Sequence, residues 1–471
     1  MPSTKSPAPS HEMASPSSSA SFKPPATLPP AALDLERAPT LREGEQRYRR
    51  LGWVRLTICL IVEAIALGSL SIPAAFATLG MVAGVLMTVG LGLIAIYTSY
   101  IVGQVFLKHP YIRSYADAVG LIWGRAGYWL TAVMFVLFLV LLVGSHTLTG
   151  TIAWINIVGS PGTCALVWGI ISAIILFVLA LPPTFHDVAI LGYIDFVSIL
   201  AAILITMVAT GIQASSSTAG GLSAVDWSLW PPPTTTFYQA FLATTNICFA
   251  YSFAVCQFSF MAELHTPRDY VKSIWALGLI EILIYTVVGA VVYAFVGSGV
   301  QSPALLSAGP TVSRVAFGIA LPVIFISGAI NSTVVARFVI DRAFVKSPIR
   351  EVNSKAGWLV WCGLIAVITV LSWVIAEAIP FFSALLGLIS SLFISGFSFY
   401  FPALFWFGLV KEGRWNATRK NVWLSVVNAG VLVIGLVILV CGTYASVQDI
   451  IVEFASGDVR GSFSCDSGSY T

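Results

Sequence analysis

A carboxylate, a glycine, two hydroxyls and a proline interrupt an apolar stretch near the start of the chain. The stretch is Glu63-Ala-Ile-Ala-Leu-Gly-Ser-Leu-Ser-Ile-Pro73. Gly68 and Ser69 lower helix propensity, while Pro73 lacks the N–H that continues a helix and clashes with the carbonyl four residues earlier. We therefore predict that a helix in this stretch breaks near Gly68 to Ser71.

A broken helix exposes backbone groups that suit a zwitterion. The N–H groups that begin the second half-helix lie at the positive end of its dipole and suit a carboxylate. The carbonyls that end the other half-helix suit an ammonium group or a cation. A free α-amino acid carries both groups on one carbon, so the break is a candidate substrate site formed by Ala66, Gly68, Ser69, Leu70 and Ser71.

A second polar interruption falls in the sixth apolar segment of the chain. Asn246, Ser252, Gln257 and Ser259 lie within an aromatic run there, without a glycine to mark the break. Interrupted segments at corresponding places in two halves are typical of transporters built from inverted repeats. The residues of this second break that would complete the substrate site are Phe249, Ala250, Tyr251, Ser252 and Phe253.

The composition places these segments in a membrane. Of the 471 residues, 57% are hydrophobic and 10% are charged, and the mean hydropathy is +0.90. A soluble domain carries about 25% charged residues, and apolar runs of about 20 residues are long enough to cross a bilayer as helices. The sequence therefore predicts an all-α polytopic membrane protein that contacts membrane lipid and has no nucleic acid partner.

We identify eleven apolar segments, of which the first and sixth are broken. They cover residues 53–79, 81–106, 127–157, 164–181, 187–212, 236–262, 273–297, 313–340, 357–378, 380–409 and 422–444. Two broken segments five apart predict a five-plus-five inverted repeat with one helix appended. The predicted parts are a tail over 1–50, repeats over 51–212 and 213–409, an eleventh span over 410–444 and a second tail over 445–471.

Lys and Arg are divided unequally between the two sides of this arrangement. With the N-terminus inside, all of them except Arg314 and Arg460 lie in the N-terminal tail, the start of the first segment or the inner loops. Cytoplasmic loops accumulate these residues, so we predict a cytosolic N-terminus and, with an odd number of spans, an extracellular C-terminus. Cys164 and Cys465 then share the outer side, where a disulfide is chemically permitted, although no pattern indicates that they are close.

The N-terminal tail is rich in Ser, Pro, Ala and Thr. This composition cannot build a core, so we expect disorder. A plain cytosolic tether and a regulatory tail that binds trafficking machinery through Lys5, Lys23 and nearby serines are the two alternatives.

Several motifs flank the two breaks. They are Gly68-Ser-Leu-Ser-Ile-Pro-Ala-Ala-Phe76 with Leu79-Gly80, and Asn246-Ile-Cys-Phe-Ala-Tyr251 with Met261-Ala-Glu263 and Thr266-Pro-Arg-Asp-Tyr-Val-Lys272. Over residues 50–444 the chain resembles the amino acid/auxin permeases of the amino acid–polyamine–organocation superfamily. The stretch 270–281 is especially similar to fungal neutral amino acid permeases of the methyltryptophan-resistance type.

This resemblance implies a LeuT-like fold and proton-coupled uptake of neutral aliphatic and aromatic amino acids across the plasma membrane. The chain departs from the family pattern at one place. Many members have Gly-His after the Ala-Tyr-Ala of the sixth segment, whereas Ser252 and Phe253 follow Tyr251 here. No role of that histidine is carried over.

Three acidic residues within apolar segments are candidates for proton coupling, because an ionisable group at membrane depth is costly and by default functional. Glu63 lies little more than one helical turn before the predicted break, and Glu281 lies in the seventh segment. Asp195 lies in the fifth segment, which borders the ion site in LeuT-like folds. The alternatives are a carboxyl at Glu63 that joins two helices and a carboxylate at Asp195 near the inner interface.

Oxygen-bearing residues in the eighth segment would suit sodium instead. Ser327 and Asn331 are the candidate cation ligands, although hydroxyls in membrane helices more often serve helix packing. Two acidic residues near the likely site agree with a proton as the coupling ion, and the family resemblance is the main reason to favour the proton over sodium.

The histidines are scattered, and neither a nucleotide loop nor a nucleophile elbow is present. We therefore expect no enzyme chemistry, no metal and no cofactor. The leading hypothesis is a secondary active transporter, a proton symporter of neutral L-amino acids. The alternatives are a sodium-coupled permease, a non-transporting amino acid sensor with the same fold and a passive channel.

Overall fold

Helices account for most of the part of the chain that the structure describes. In this computed structural model the described residues are 52–159, 163–183, 185–216, 221–345, 347–352, 354–456 and 460–465. The predicted tail over 1–50 lies outside them. The helices are α1 (Trp53–Ala64), α2 (Leu67–Leu79), α3 (Met81–Lys108), α4 (Tyr115–Val158), α5 (Ala165–Ala180), α6 (Phe185–Ser216), α7 (Phe237–Ala250), α8 (Gln257–Glu263), α9 (Tyr270–Val296), α10 (Pro310–Ala343), α11 (Lys355–Ala378), α12 (Phe382–Val410) and α13 (Arg419–Ser456).

The described helices match the apolar segments that the hydropathy pattern predicts. Eight of them are long and apolar enough to cross a membrane, namely α3, α4, α6 and α9–α13. The shorter apolar helix α5 and the two interrupted pairs, α1 with α2 and α7 with α8, bring the total among described residues to the expected eleven. α1–α6 begin within residues 51–212 and α7–α12 begin within residues 213–409, the two predicted repeats.

The first interruption is present but begins earlier than the sequence predicts, at Ile65 and Ala66 and so two residues before the predicted position near Gly68 to Ser71. Ile65 and Ala66 leave the helical conformation, with φ/ψ of −86°/45° and −96°/−115°. Gly68 to Ser71 instead form the first turns of α2. Pro73 lies within α2. The hydroxyls of Ser69 and Ser71 donate to the carbonyls of Ala66 and Gly68, both at 2.9 Å, and support the first turns of this helix.

The second interruption is a turn over residues 251–256 between α7 and α8. α7 begins at a capping box formed by Thr236 and Gln239. α8 is tied to α3, because the Gln257 side-chain amide donates to the Ser99 carbonyl at 2.8 Å and its oxygen accepts from the Ser99 hydroxyl. Both broken segments predicted from sequence are therefore present.

Helix ends also differ from the predicted segments. α4 begins at Tyr115, well before residue 127, and bends at Gly124, whose φ of 65° is accessible to glycine without steric cost. α13 continues to Ser456, past residue 444. Asp449 and Glu453 lower the hydropathy of this last part, so the predicted segment ends too early.

One end of the helix bundle is rich in basic residues that the topology prediction places inside. Lys108 Nζ lies 2.9 Å from Glu412 Oε1 and holds the pKa of that exposed carboxyl below its ordinary value. Arg350 Nε lies 2.9 Å from Asp341 Oδ1. The Arg337 guanidinium donates to the Pro183 carbonyl.

The opposite end is closed by residues 460–465, which pack back onto the bundle. Cys465 forms a disulfide with Cys164, 301 positions earlier in the sequence. Arg460 forms a buried ion pair with Glu377, the penultimate residue of α11, and each side chain is 1% exposed. The segment therefore joins the start of α5 to the end of α11 at the face that the charge pattern predicts to be extracellular.

Candidate substrate site

The two interruptions meet at the centre of the bundle. A Cβ atom added at Gly68 would lie 2.7 Å from Ala250 Cα, so only glycine permits this approach of the two backbones. The start of α2 and the end of α7 therefore lie side by side. The start of a helix, as in α2, has unpaired N–H groups, and the end of a helix, as in α7, has unpaired carbonyls.

A small cavity of about 40 Å³ adjoins this contact. That volume holds about two to four water molecules, so a free amino acid needs the walls to move apart. The residues that line it come from both interruptions, from α4 and from α10. Among them are Ala64, Ala66, Gly68, Phe138, His146, Phe249, Ser252, Phe253 and Asn331.

The structure brings half of the predicted substrate residues to this cavity. Ala66, Gly68, Phe249, Ser252 and Phe253 line it. The others are buried nearby without lining it, and they are Ser69, Leu70, Ser71, Ala250 and Tyr251.

Four of those five residues make contacts outside the cavity. The hydroxyls of Ser69 and Ser71 are used within α2. The carbonyl of Ala250 accepts from the Tyr285 hydroxyl at 3.2 Å. The Tyr251 ring packs edge-on against Tyr285, with 5.3 Å between ring centroids.

α4 supplies cavity residues that the sequence analysis missed. Phe138, Leu142 and His146 line the cavity. His146 Nδ1 lies 2.8 Å from the Ile324 carbonyl of α10. A carbonyl only accepts, so Nδ1 carries the proton and a neutral imidazole keeps Nε2 as an acceptor. No signal in this segment marks these residues. The hydroxyls of Thr147, Thr149 and Thr151, which follow one another there, donate to carbonyls of α4 itself.

A buried polar chain joins α6 to the cavity. The Ser327 hydroxyl donates to Asp195 Oδ2 at 2.7 Å, and the Asn331 side-chain amide donates to the Ser327 carbonyl at 2.9 Å. Asp195 is 0% exposed and Asn331 reaches the cavity. Asp195 Oδ1 and Asn331 Oδ1 have no hydrogen-bond partner among the described residues.

The other two acidic candidates lie elsewhere around the interruptions. Glu63 is the penultimate residue of α1, and its side chain lies outside the described residues. Glu281 of α9 is 0% exposed, does not line the cavity, and neither carboxyl oxygen has a partner among the described residues.

Comparison with known proteins assigns the family. The family model described as "Transmembrane amino acid transporter protein" matches residues 49–448. The chain belongs to this transporter family. The transporter is 60% identical over 432 residues to the N amino acid transport system protein of Neurospora crassa, covering 92% of each chain. It is 28% identical over 422 residues to a transmembrane transporter of Fusarium pseudograminearum, covering 90% of this chain and 88% of that one.

A solved structure shows the fold. Mhp1, a nucleobase-cation-symport-1 family transporter in a closed conformation with bromovinylhydantoin bound, matches the transporter with a TM-score of 0.52 at 13% identity. The match covers 87% of this chain and 93% of that one. The predicted LeuT-like, all-α fold is confirmed, as is the prediction of a transporter rather than an enzyme.

Proposed function

We propose that this transporter is a proton symporter that carries neutral aliphatic and aromatic amino acids into the cell across the plasma membrane. The observation that carries the proposal is the contact between Gly68 and Ala250, which sets the start of one half-helix beside the end of another. The cavity beside this contact can then present donors and acceptors to one zwitterion.

The start of α2 is the carboxylate end of the proposed site. The N–H groups of Ala66, Leu67, Gly68 and Ser69 precede the first intrahelical bond and have no acceptor within the helix. They lie at the positive end of the α2 dipole, which favours an anion. Leu70 and Ser71 have helical conformations further along α2, so they support the site rather than bind the carboxylate.

The cavity walls favour an uncharged side chain. Phe138, Phe249 and Phe253 supply apolar surface, and the described lining residues include no Lys, Arg, Asp or Glu. A charged side chain would be buried there without a partner, at a high cost. Movement of the aromatic walls would make room for aliphatic and aromatic substrates.

The chain from Asp195 through Ser327 to Asn331 is the proposed proton site. A carboxyl that is buried with one hydroxyl donor can bind and release a proton when water reaches it through the cavity. Asn331 is the member that lines the cavity, so substrate binding there can change the surroundings of Asp195. No organic cofactor takes part in this proposal.

Uptake competition tests the substrate class. Cells that express the chain are given labelled leucine with each of the other amino acids in excess, at external pH 5 and pH 7.5, with and without a proton uncoupler. We expect neutral aliphatic and aromatic amino acids to compete, Asp, Glu, Lys and Arg not to compete, and the uncoupler to prevent accumulation.

Other outcomes would replace the proposal. Accumulation that survives the uncoupler and requires sodium would make the chain a sodium-coupled permease. Binding without flux would make it a sensor, and poorly saturable dissipative flux would make it a channel.

A further inference from the structure

One tyrosine hydroxyl contacts both interrupted pairs. Tyr285 of α9 is 0% exposed, and its hydroxyl lies 3.0 Å from the Ala64 carbonyl and 3.2 Å from the Ala250 carbonyl. Ala64 ends α1 and Ala250 ends α7, so both carbonyls close the first half of an interrupted pair. The Tyr251 ring packs against Tyr285 and holds it in place.

The Tyr285 hydroxyl does not fill the hydrogen-bonding capacity of the two carbonyls. A hydroxyl has one proton, whereas each carbonyl oxygen has two lone pairs. Tyr285 therefore cannot satisfy both carbonyls, and each can accept from a further donor. Carbonyls at helix C-termini also carry partial negative charge. A primary ammonium group, with three N–H donors and a positive charge, matches the acceptor capacity and the partial negative charge that remain on the two carbonyls.

We propose that Tyr285 is a positioning residue for the ammonium group of the substrate. It holds the carbonyls of Ala64 and Ala250 in one place so that a single ammonium group donates to both. Ala64 lines the cavity, whereas Ala250 and Tyr285 lie beside it without lining it. The tyrosine therefore acts through the carbonyls, and an ammonium group reaches the Ala250 carbonyl when the cavity walls move apart to admit the substrate. This inference rests on the proposed binding of an α-amino acid at the interruptions.

The same helix offers a matched control. Tyr293 is 1% exposed, and its hydroxyl accepts from the Ser228 N–H at 2.9 Å, in a loop away from both interruptions. Tyr285→Phe and Tyr293→Phe each remove one buried hydroxyl from α9. A role confined to helix packing predicts similar effects for the two substitutions.

The test compares leucine with 4-methylpentanoate, which keeps the carboxylate and side chain of leucine but lacks the amine. In full-length transporter at matched surface levels, Tyr285→Phe is expected to raise the KM for leucine roughly two- to tenfold, the range for one lost hydrogen bond. Inhibition by 4-methylpentanoate is expected to stay unchanged, so the preference for leucine falls by the same factor. Tyr293→Phe is expected to keep both values.

Equal KM values and equal preferences in the two variants would overturn the inference. If little Tyr285→Phe reaches the surface, thermal shifts caused by the same two ligands on its purified, folded fraction give the comparison. Failure of the wild-type chain to transport leucine would instead overturn the proposed function, so the two failures are distinguishable.

Discussion

At the scale of single residues, the acidic side chains in the membrane differ in their connections. Asp195 accepts from Ser327 and is linked through Asn331 to the cavity. Glu281 is equally buried, but its carboxyl oxygens have no partner among the described residues and it lies off the cavity. Of these two acidic residues, Asp195 is therefore the one whose described hydrogen-bond partner, Ser327, also contacts a residue that lines the cavity.

Replacing Asp195 by Asn keeps the shape and an acceptor for Ser327 but removes the titratable proton. We expect Asp195→Asn to abolish accumulation driven by a pH gradient while exchange of labelled for unlabelled leucine continues. Counterflow and net uptake in the same vesicles measure the two activities. Asp226→Asn is the matched control, since Asp226 accepts from Ser298 in an exposed loop. Full pH-driven accumulation by Asp195→Asn would show that this carboxyl does not couple transport.

The sequence-based prediction for Glu63 stays a prediction. Glu63 immediately precedes Ala64, whose carbonyl accepts from the Tyr285 hydroxyl. Glu63→Gln is expected to uncouple transport from the proton gradient and leave exchange measurable, because Gln cannot carry the proton. The same pair of vesicle assays applies, and retention of full accumulation would make Glu63 a structural residue.

At the scale of helices, the site depends on how closely α2 approaches α7. Gly68→Ala adds a methyl group that meets the Ala250 backbone, which cannot move aside as a flexible side chain would. We expect a cost of about 1–3 kcal/mol from overpacking and loss of leucine uptake beyond any loss of surface protein.

Gly90→Ala in α3 is the control for this substitution. Apart from the neighbouring backbone of α3 itself, no atom lies within 4 Å of the added Cβ, and alanine is the better helix former by about 0.5–1 kcal/mol. Uptake and thermal stability are expected to be unchanged or slightly improved. Normal uptake by Gly68→Ala would mean that the close contact of α2 and α7 is not needed.

Hydropathy predicts the helices well, because burial in lipid constrains long apolar runs directly. The position of the first interruption was less predictable. Intrinsic propensity pointed to Gly68–Ser71, but the serine hydroxyls support the turns there and the chain departs at Ile65 and Ala66 instead. The contributions of Phe138 and His146 could not be read from a segment taken alone, since they arise from the packing of α4 beside both interruptions.

At the scale of the whole molecule, residues 460–465 tie distant parts of the chain together. Besides the disulfide and the buried ion pair, the Ser462 hydroxyl donates to the Ala378 carbonyl at 2.9 Å. The Phe463 ring packs against Trp373 of α11. The disulfide therefore fixes the start of α5 to this segment, and the Arg460–Glu377 ion pair fixes the end of α11 to it.

Replacing both Cys164 and Cys465 by Ser is expected to lower stability by about 2–4 kcal/mol, because the unfolded chain loses a cross-link. The melting temperature of purified protein in detergent measures this loss, and a reductant should reproduce it in the wild-type chain. Cys362→Ser removes a free thiol and is the control. Identical melting temperatures for the double variant and the control would show that the disulfide contributes no stability.

The central claim is that neutral amino acids and protons enter together. Purified transporter in sealed vesicles, with labelled leucine outside, a pH-sensitive dye inside and an inward proton gradient, measures both fluxes at once. We expect leucine to accumulate above its external concentration, each addition of leucine to acidify the interior, and an uncoupler to abolish the accumulation. Leucine accumulation that persists after the proton gradient is collapsed, with no change in internal pH, would contradict proton coupling.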